Sequence, residues 1–155
     1  GGRRYKMGEV RLDELMLEVT RDYQSEIAMH GITVSYALDP VAVRSDRGML
    51  FHVFSNIINN AIKYRSRQAS PAMRIQISAG NGQADIVVSD NGIGFTEQEK
   101  VRAFDRFYQG TASAEGSGVG LTIAKVITED LGGIISLESE GRDCGTRVTI
   151  KLPLS

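Results

Sequence analysis

At 155 residues the chain suits one compact domain, which at this length buries roughly two-thirds of the surface that its unfolded form exposes. Its 18 Lys and Arg against 19 Asp and Glu leave a formal charge of −1, which argues against nucleic acid as a partner. A single cysteine, Cys144, excludes an internal disulfide, and no apolar run approaches the roughly 20 residues that cross a bilayer. The chain itself reads as a cytoplasmic domain that does not contact membrane.

Gly1-Gly2-Arg3-Arg4 has neither the apolar core nor the cleavage pattern of a signal peptide, so residues 1–8 are set aside as a linker or cloning remnant and 9–155 as the domain. From Leu12 to about Met29, apolar residues at steps of three and four (Leu12, Leu15, Met16, Val19, Tyr23, Ile27) predict one amphipathic helix, stopped at His30-Gly31. Ile32, Val34 and Tyr36 alternate with small or polar residues, and Val41 and Val43 follow Asp39-Pro40, which predicts a hairpin of two short strands. Ser45 or Asp46 can cap the next helix, whose stripe of Leu50, Val53, Phe54, Ile57, Ile58, Ala61 and Ile62 runs to about Tyr64. Met73–Ala79 and Ala84–Ser89 read as an antiparallel pair across Gly80 to Gln83. A short helix from Glu97 to Ala103 precedes a Gly-, Ser- and Thr-containing segment, Gln109 to Gly118. Helical spacing returns from Val119 to Leu131, and Ile134–Glu138 and Thr146–Leu152 supply two more strands. The fold class expected is α/β (α+β): a two-layer sandwich with a mixed, mainly antiparallel sheet of about five strands against about three helices.

Three places carry candidate chemistry. Asn56 and Asn60 are four apart on the apolar helix, with Lys63 and Tyr64 three and four further on, so all lie near one face. Two asparagines on such a stripe are either solvated near a helix end or matched to partners such as a metal ion, backbone groups or a ligand. Asp90-Asn91-Gly92-Ile93-Gly94 follows a strand; it is either an ordinary turn or a place where glycines admit a ligand while a carboxylate accepts from an amino group. Gly116-Ser117-Gly118-Val119-Gly120-Leu121 opens a helix, where free N–H groups suit phosphate, although a glycine-rich start is also a plain flexible loop.

In this order, Asn56 to Tyr64, Asp90 to Gly94, Phe104-Asp105-Arg106-Phe107 and Gly116 to Leu121 resemble the N, G1, F and G2 boxes of histidine kinases. The resemblance extends from Val10 to the closing Gly145-Thr146-Arg147-Val148-Thr149-Ile150-Lys151-Leu152-Pro153. It implies the catalytic domain of a two-component sensor histidine kinase, with a Bergerat-type fold that binds ATP and Mg2+ beneath a mobile lid. By the same resemblance Asn60 holds Mg2+ with Asn56 assisting, Lys63 contacts phosphate, and Tyr64 packs beside the nucleotide. Asp90 reads adenine, with Gly92, Ile93 and Gly94 lining its approach. Arg106 stabilises phosphate charge, Phe104 and Phe107 anchor the lid at 109–115, and Gly116, Ser117, Gly118, Val119, Gly120 and Leu121 frame the phosphates. Asn60, Lys63 and Arg106 are the catalytic group.

ATP-hydrolysing relatives of this fold usually carry glutamate where this chain has Asn56, and an amide cannot take a proton from water at neutral pH. The substitution favours phosphoryl transfer over hydrolysis. His30 and His52 both lack the Ser-His-Glu-like context of a phosphate acceptor; His30 reads as a helix-end residue and His52 as a partly buried structural one. The resemblance therefore implies an acceptor histidine on a separate dimerisation domain joined near residues 9–15, a response-regulator receiver domain as the next partner, and a chain that is monomeric alone but homodimeric in the full kinase. The alternatives are a nucleotide-binding docking module without phosphoryl transfer, or an ATPase of the same fold. Cys144 reads as a small packing residue.

Overall fold

The structure, a computed structural model, describes residues 4–101 and 119–154. Strand β1 (Met7–Arg11) leads into α1 (Leu12–Asp22) and α2 (Gln24–Met29), followed by β2 (Thr33–Leu38), β3 (Ala42–Asp46) and the long helix α3 (Arg47–Lys63). Then come β4 (Ala72–Gly80), β5 (Gln83–Asp90), α4 (Glu97–Val101), α5 (Val119–Asp130), β6 (Ile134–Glu138) and β7 (Thr146–Pro153). Five strands form one sheet in the order β2-β4-β5-β7-β6, parallel between β2 and β4 and antiparallel elsewhere. This is the expected two-layer α/β sandwich.

Alternation decides which sheet face is covered. Met73, Ile75 and Ile77 of β4, Ala84, Ile86 and Val88 of β5, and Val148, Ile150 and Leu152 of β7 are all buried on the helix side. Each large aliphatic side chain removed from water there contributes about 1.5–3 kcal/mol. α3 packs between α1 and α5, with Leu50, Val53, Phe54 and Ile58 fully buried, so the helix that carries the asparagines is the central one of its layer.

Several expectations need correction. The hairpin of β2 with β3 does not form: β2 pairs with β4, and β3 pairs antiparallel with β1 in a separate two-stranded sheet. Asp39 N–H donates to the Ile77 carbonyl and ties the end of β2 to β4, while Leu12 N–H takes the Val41 carbonyl, diverting the chain towards β1. Buried Val10 and Val43 then face each other in register. Residues 7 and 8, set aside with the linker, thus belong to a strand, and Lys6 N–H reaches the Asp46 carboxylate at 2.7 Å. Finally, the helix over 12–29 breaks at Tyr23, whose backbone (φ −104°, ψ 10°) leaves the helical region while its hydroxyl shares a 2.7 Å hydrogen bond with Ser55 on α3.

Asp46 caps α3 by accepting from Met49 N–H at 3.0 Å, the capping role its position suggested. His52 is exposed rather than partly buried, and Cys144 is exposed too, its thiol directed to the Arg142 carbonyl. Among the described residues no helix is long and apolar enough to cross a membrane.

Candidate functional site

The end of α3 and the end of β5 meet at one backbone group. The Tyr64 carbonyl, freed because the helix stops at Lys63, accepts from Ile93 N–H at 2.9 Å, and the Tyr64 ring lies 6.3 Å from that of buried Phe95. The asparagine helix and the Asp90–Gly94 segment are thereby joined into one wall. On it stand half-buried Asn56, Asn60 and Tyr64, exposed Lys63, and half-buried Asp90 and Ile93.

Asp90 ends β5 with its carboxylate turned inward among buried groups. One carboxylate oxygen accepts from Gly92 N–H at 2.8 Å, and the carboxylate also receives the Thr146 N–H. Burial outweighs both bonds and pushes its pKa up to about 6. The folded value thus lies above the ordinary value of 3.8, so protonation favours the folded state. The stability gained is complete below about pH 4 and is lost as the pH rises through about 6. The stability difference between wild type and Asp90→Asn should therefore move in favour of wild type as the pH falls from 7.5 to 4.5. Chemical denaturation at a series of pH values measures it, and a difference that stays constant would place the carboxylate in water.

The glycines of this segment make room for protein as well as for a ligand. A Cβ on Gly92 would lie 2.2 Å from the Tyr64 carbonyl oxygen. One on Gly94, where φ is +66°, would lie 2.3 Å from the Gly141 carbonyl oxygen. The loop between β6 and β7 is the second neighbour: Asp143 N–H donates to the Ile93 carbonyl at 2.6 Å and Gly145 N–H to the Gly92 carbonyl at 3.0 Å. Ser139, Gly145 and Thr146 thus support the Asp90 segment. Of these only Gly145-Thr146 lay in a stretch that marked the family; a serine ending a strand carries no signal of its own.

On α5, which packs against α3, Leu121 is buried, and Val119 and Gly120 form the start of the helix. Phe104, Arg106, Phe107, the lid at 109–115 and Gly116, Ser117 and Gly118 lie outside the described residues. A cleft of about 330 Å³ lies instead at the β5-β7-β6 end of the sheet, lined by residues that include Ser89, Glu138, Cys144 and Arg147. It reaches Asp90 but none of the α3 residues.

Residues 45–155 match the family of histidine kinase-, DNA gyrase B-, and HSP90-like ATPases, and the chain belongs to that family. Within it, the chain is the ATP-binding catalytic domain of a sensor histidine kinase, as its relatives show. It is 33% identical over 160 residues to the autoinducer 2 sensor kinase/phosphatase LuxQ of Vibrio cholerae, covering 97% of this chain and 18% of LuxQ. To the methanogenesis regulatory histidine kinase FilI of Methanothrix harundinacea it is 36% identical over 141 residues, 90% of this chain and 16% of FilI. The chain therefore spans less than a fifth of either kinase. The nucleotide-free catalytic domain of histidine kinase ThkA superimposes with a TM-score of 0.84 at 25% identity, over 96% of this chain and 95% of that one. ThkA has also been solved with the response regulator protein TrrA.

Proposed function

We propose that residues 9–155, with β1 completing their edge, hold MgATP along the wall formed by α3, the Asp90–Gly94 segment and the start of α5. The γ-phosphoryl group passes to a histidine on a separate dimerisation domain of the same kinase. The observation that carries this reading is the juncture at Tyr64, which sets the Asp90 carboxylate beside the asparagine helix. Asp90 accepts from the adenine 6-amino group; Tyr64 and Ile93 pack beside the nucleotide; Gly92 and Gly94 shape the loop that carries them.

The donor chemistry fits a magnesium ion. The Asn60 amide is half-buried and has no hydrogen-bond partner among the described residues, and amide oxygens suit a hard cation that keeps phosphate and water as its other ligands. Among the described residues no cluster of His, Cys, Asp and Glu offers a rival site. Asn60 and Asn56 would hold the ion, which supplies neutralisation of phosphate charge when bound. Lys63 and Arg106 add positive charge, and Gly116, Ser117, Gly118, Val119, Gly120 and Leu121 frame the phosphates. Catalysis is then positioning: the acceptor imidazole nitrogen bonds to phosphorus as the bond to the ADP oxygen breaks.

Asn56 gives water no general base, which favours transfer over hydrolysis. The full kinase acts as a homodimer with this domain on the cytoplasmic side, and passes phosphate on to a response-regulator receiver domain, by likeness to the ThkA complex. The test is to mix the chain with MgATP and the purified dimerisation domain of its kinase. Acid-labile, alkali-stable phosphohistidine is expected on the added domain. Steady phosphate release at turnover rates without phosphohistidine would sink the transfer reading.

A further inference from the structure

Ser139, the residue after β6, uses its whole hydrogen-bonding capacity on backbone. Its hydroxyl oxygen accepts from Phe95 N–H at 3.0 Å and Gly141 N–H at 3.2 Å, and its proton faces the Gly145 carbonyl at 2.7 Å. Two of the three partners lead to the Asp90 segment: Phe95 follows it in sequence, and Gly145 N–H donates to the Gly92 carbonyl. Three residues on, the Arg142 guanidinium meets both Glu99 carboxylate oxygens at 2.6 and 2.7 Å. Glu99 also closes a capping box with Thr96 at the start of α4, accepting from Thr96 N–H while its own N–H reaches the Thr96 hydroxyl. The β6–β7 loop therefore grips the Asp90 segment on one side and the first turn of α4 on the other.

We propose that Ser139 is a positioning residue for base recognition, holding the Asp90 carboxylate in register with the purine 6-amino group, with Arg142 fixing the same loop from outside. The inference rests on the reading of Asp90 as the adenine acceptor. A loop that loses the hydroxyl keeps its fold through the Gly92–Gly145 and Ile93–Asp143 bonds but lets the carboxylate drift. What it loses is discrimination between bases, not phosphate binding.

Calorimetry on the 155-residue chain decides it, with ATP and with purine riboside triphosphate, which lacks the 6-amino group. Ser139→Ala should weaken ATP about tenfold and the analogue less than about twofold, and Ser139→Thr, which keeps the hydroxyl, should restore ATP binding. In an Asp90→Asn background, Ser139→Ala should change ATP affinity less than about twofold, because the group it positions is gone. Equal loss for both nucleotides, or no loss, overturns the proposal. If Asp90→Asn leaves the preference for ATP intact, the reading of Asp90 falls and the inference with it. If Ser139→Ala does not fold, Arg142→Gln decides: about a threefold loss for ATP alone supports the proposal, and unchanged affinities overturn it.

Discussion

Gly92→Ala is expected to lower folding stability by about 3 kcal/mol, a melting-temperature drop of roughly 10 °C for a domain of this size. The added Cβ would sit 2.2 Å from the Tyr64 carbonyl oxygen, 2.8 Å from the Asp90 carboxylate and 3.2 Å from the Tyr64 carbonyl carbon. Two of those neighbours are backbone, so no rotamer change relieves the overlap. Either the end of α3 or the Asp90 segment must move, and both carry residues of the proposed site, so nucleotide binding should weaken along with stability. Gly80→Ala is the control, because nothing lies within 4 Å of the Cβ it would add. Thermal melts of both variants, with and without ATP, test the prediction. Equal melting temperatures for the two would mean that the α3–β5 juncture is looser than its hydrogen bonds indicate.

That juncture also shows why the sequence was legible in some places and silent in others. α3 could be read because seven apolar residues keep helical spacing over its length and Asp46 caps its start, both local signals. The β4–β5 hairpin was equally local, since its strands alternate cleanly around a turn at Asn81-Gly82. β1 was not: Met7–Arg11 buries only Val10, and its partner lies in β3, with Met7 opposite Asp46. Such a strand is specified by distant pairing rather than by its own pattern. The same division holds at the proposed site. Asn56, Asn60, Asp90 and the glycines were visible as types out of place in their surroundings, whereas Ser139 and Arg142 act through backbone and ion-pair contacts across 44 and 43 positions. The glycines were read as room for a ligand, yet at Gly92 and Gly94 the nearest space is filled by Tyr64 and Gly141, a fact of packing that spacing does not encode.

Asn60→Ala should abolish the magnesium dependence of nucleotide binding and lower phosphohistidine formation at least about a hundredfold. Asn60 stands one helical turn before Tyr64, whose N–H takes the Asn60 carbonyl at 3.1 Å, so its backbone is locked while its half-buried amide remains without a partner among the described residues. Removing that amide leaves the helix intact, because alanine is the better helix former and no described hydrogen bond is lost. The effect should therefore fall on ligand binding alone. In wild type, ATP with Mg2+ at about 100 times its dissociation constant adds roughly 2.7 kcal/mol to stability, several degrees in melting temperature, and a smaller shift is expected without the ion. Asn60→Ala should melt like wild type when free of ligand, show the same small shift with ATP alone, and gain nothing when Mg2+ is added. His52→Ala, an exposed change on the same helix, should behave as wild type throughout. A variant that keeps its full magnesium-dependent shift would remove Asn60 from the metal site and leave Asn56, half-buried one turn earlier on the same helix, as the amide to test next.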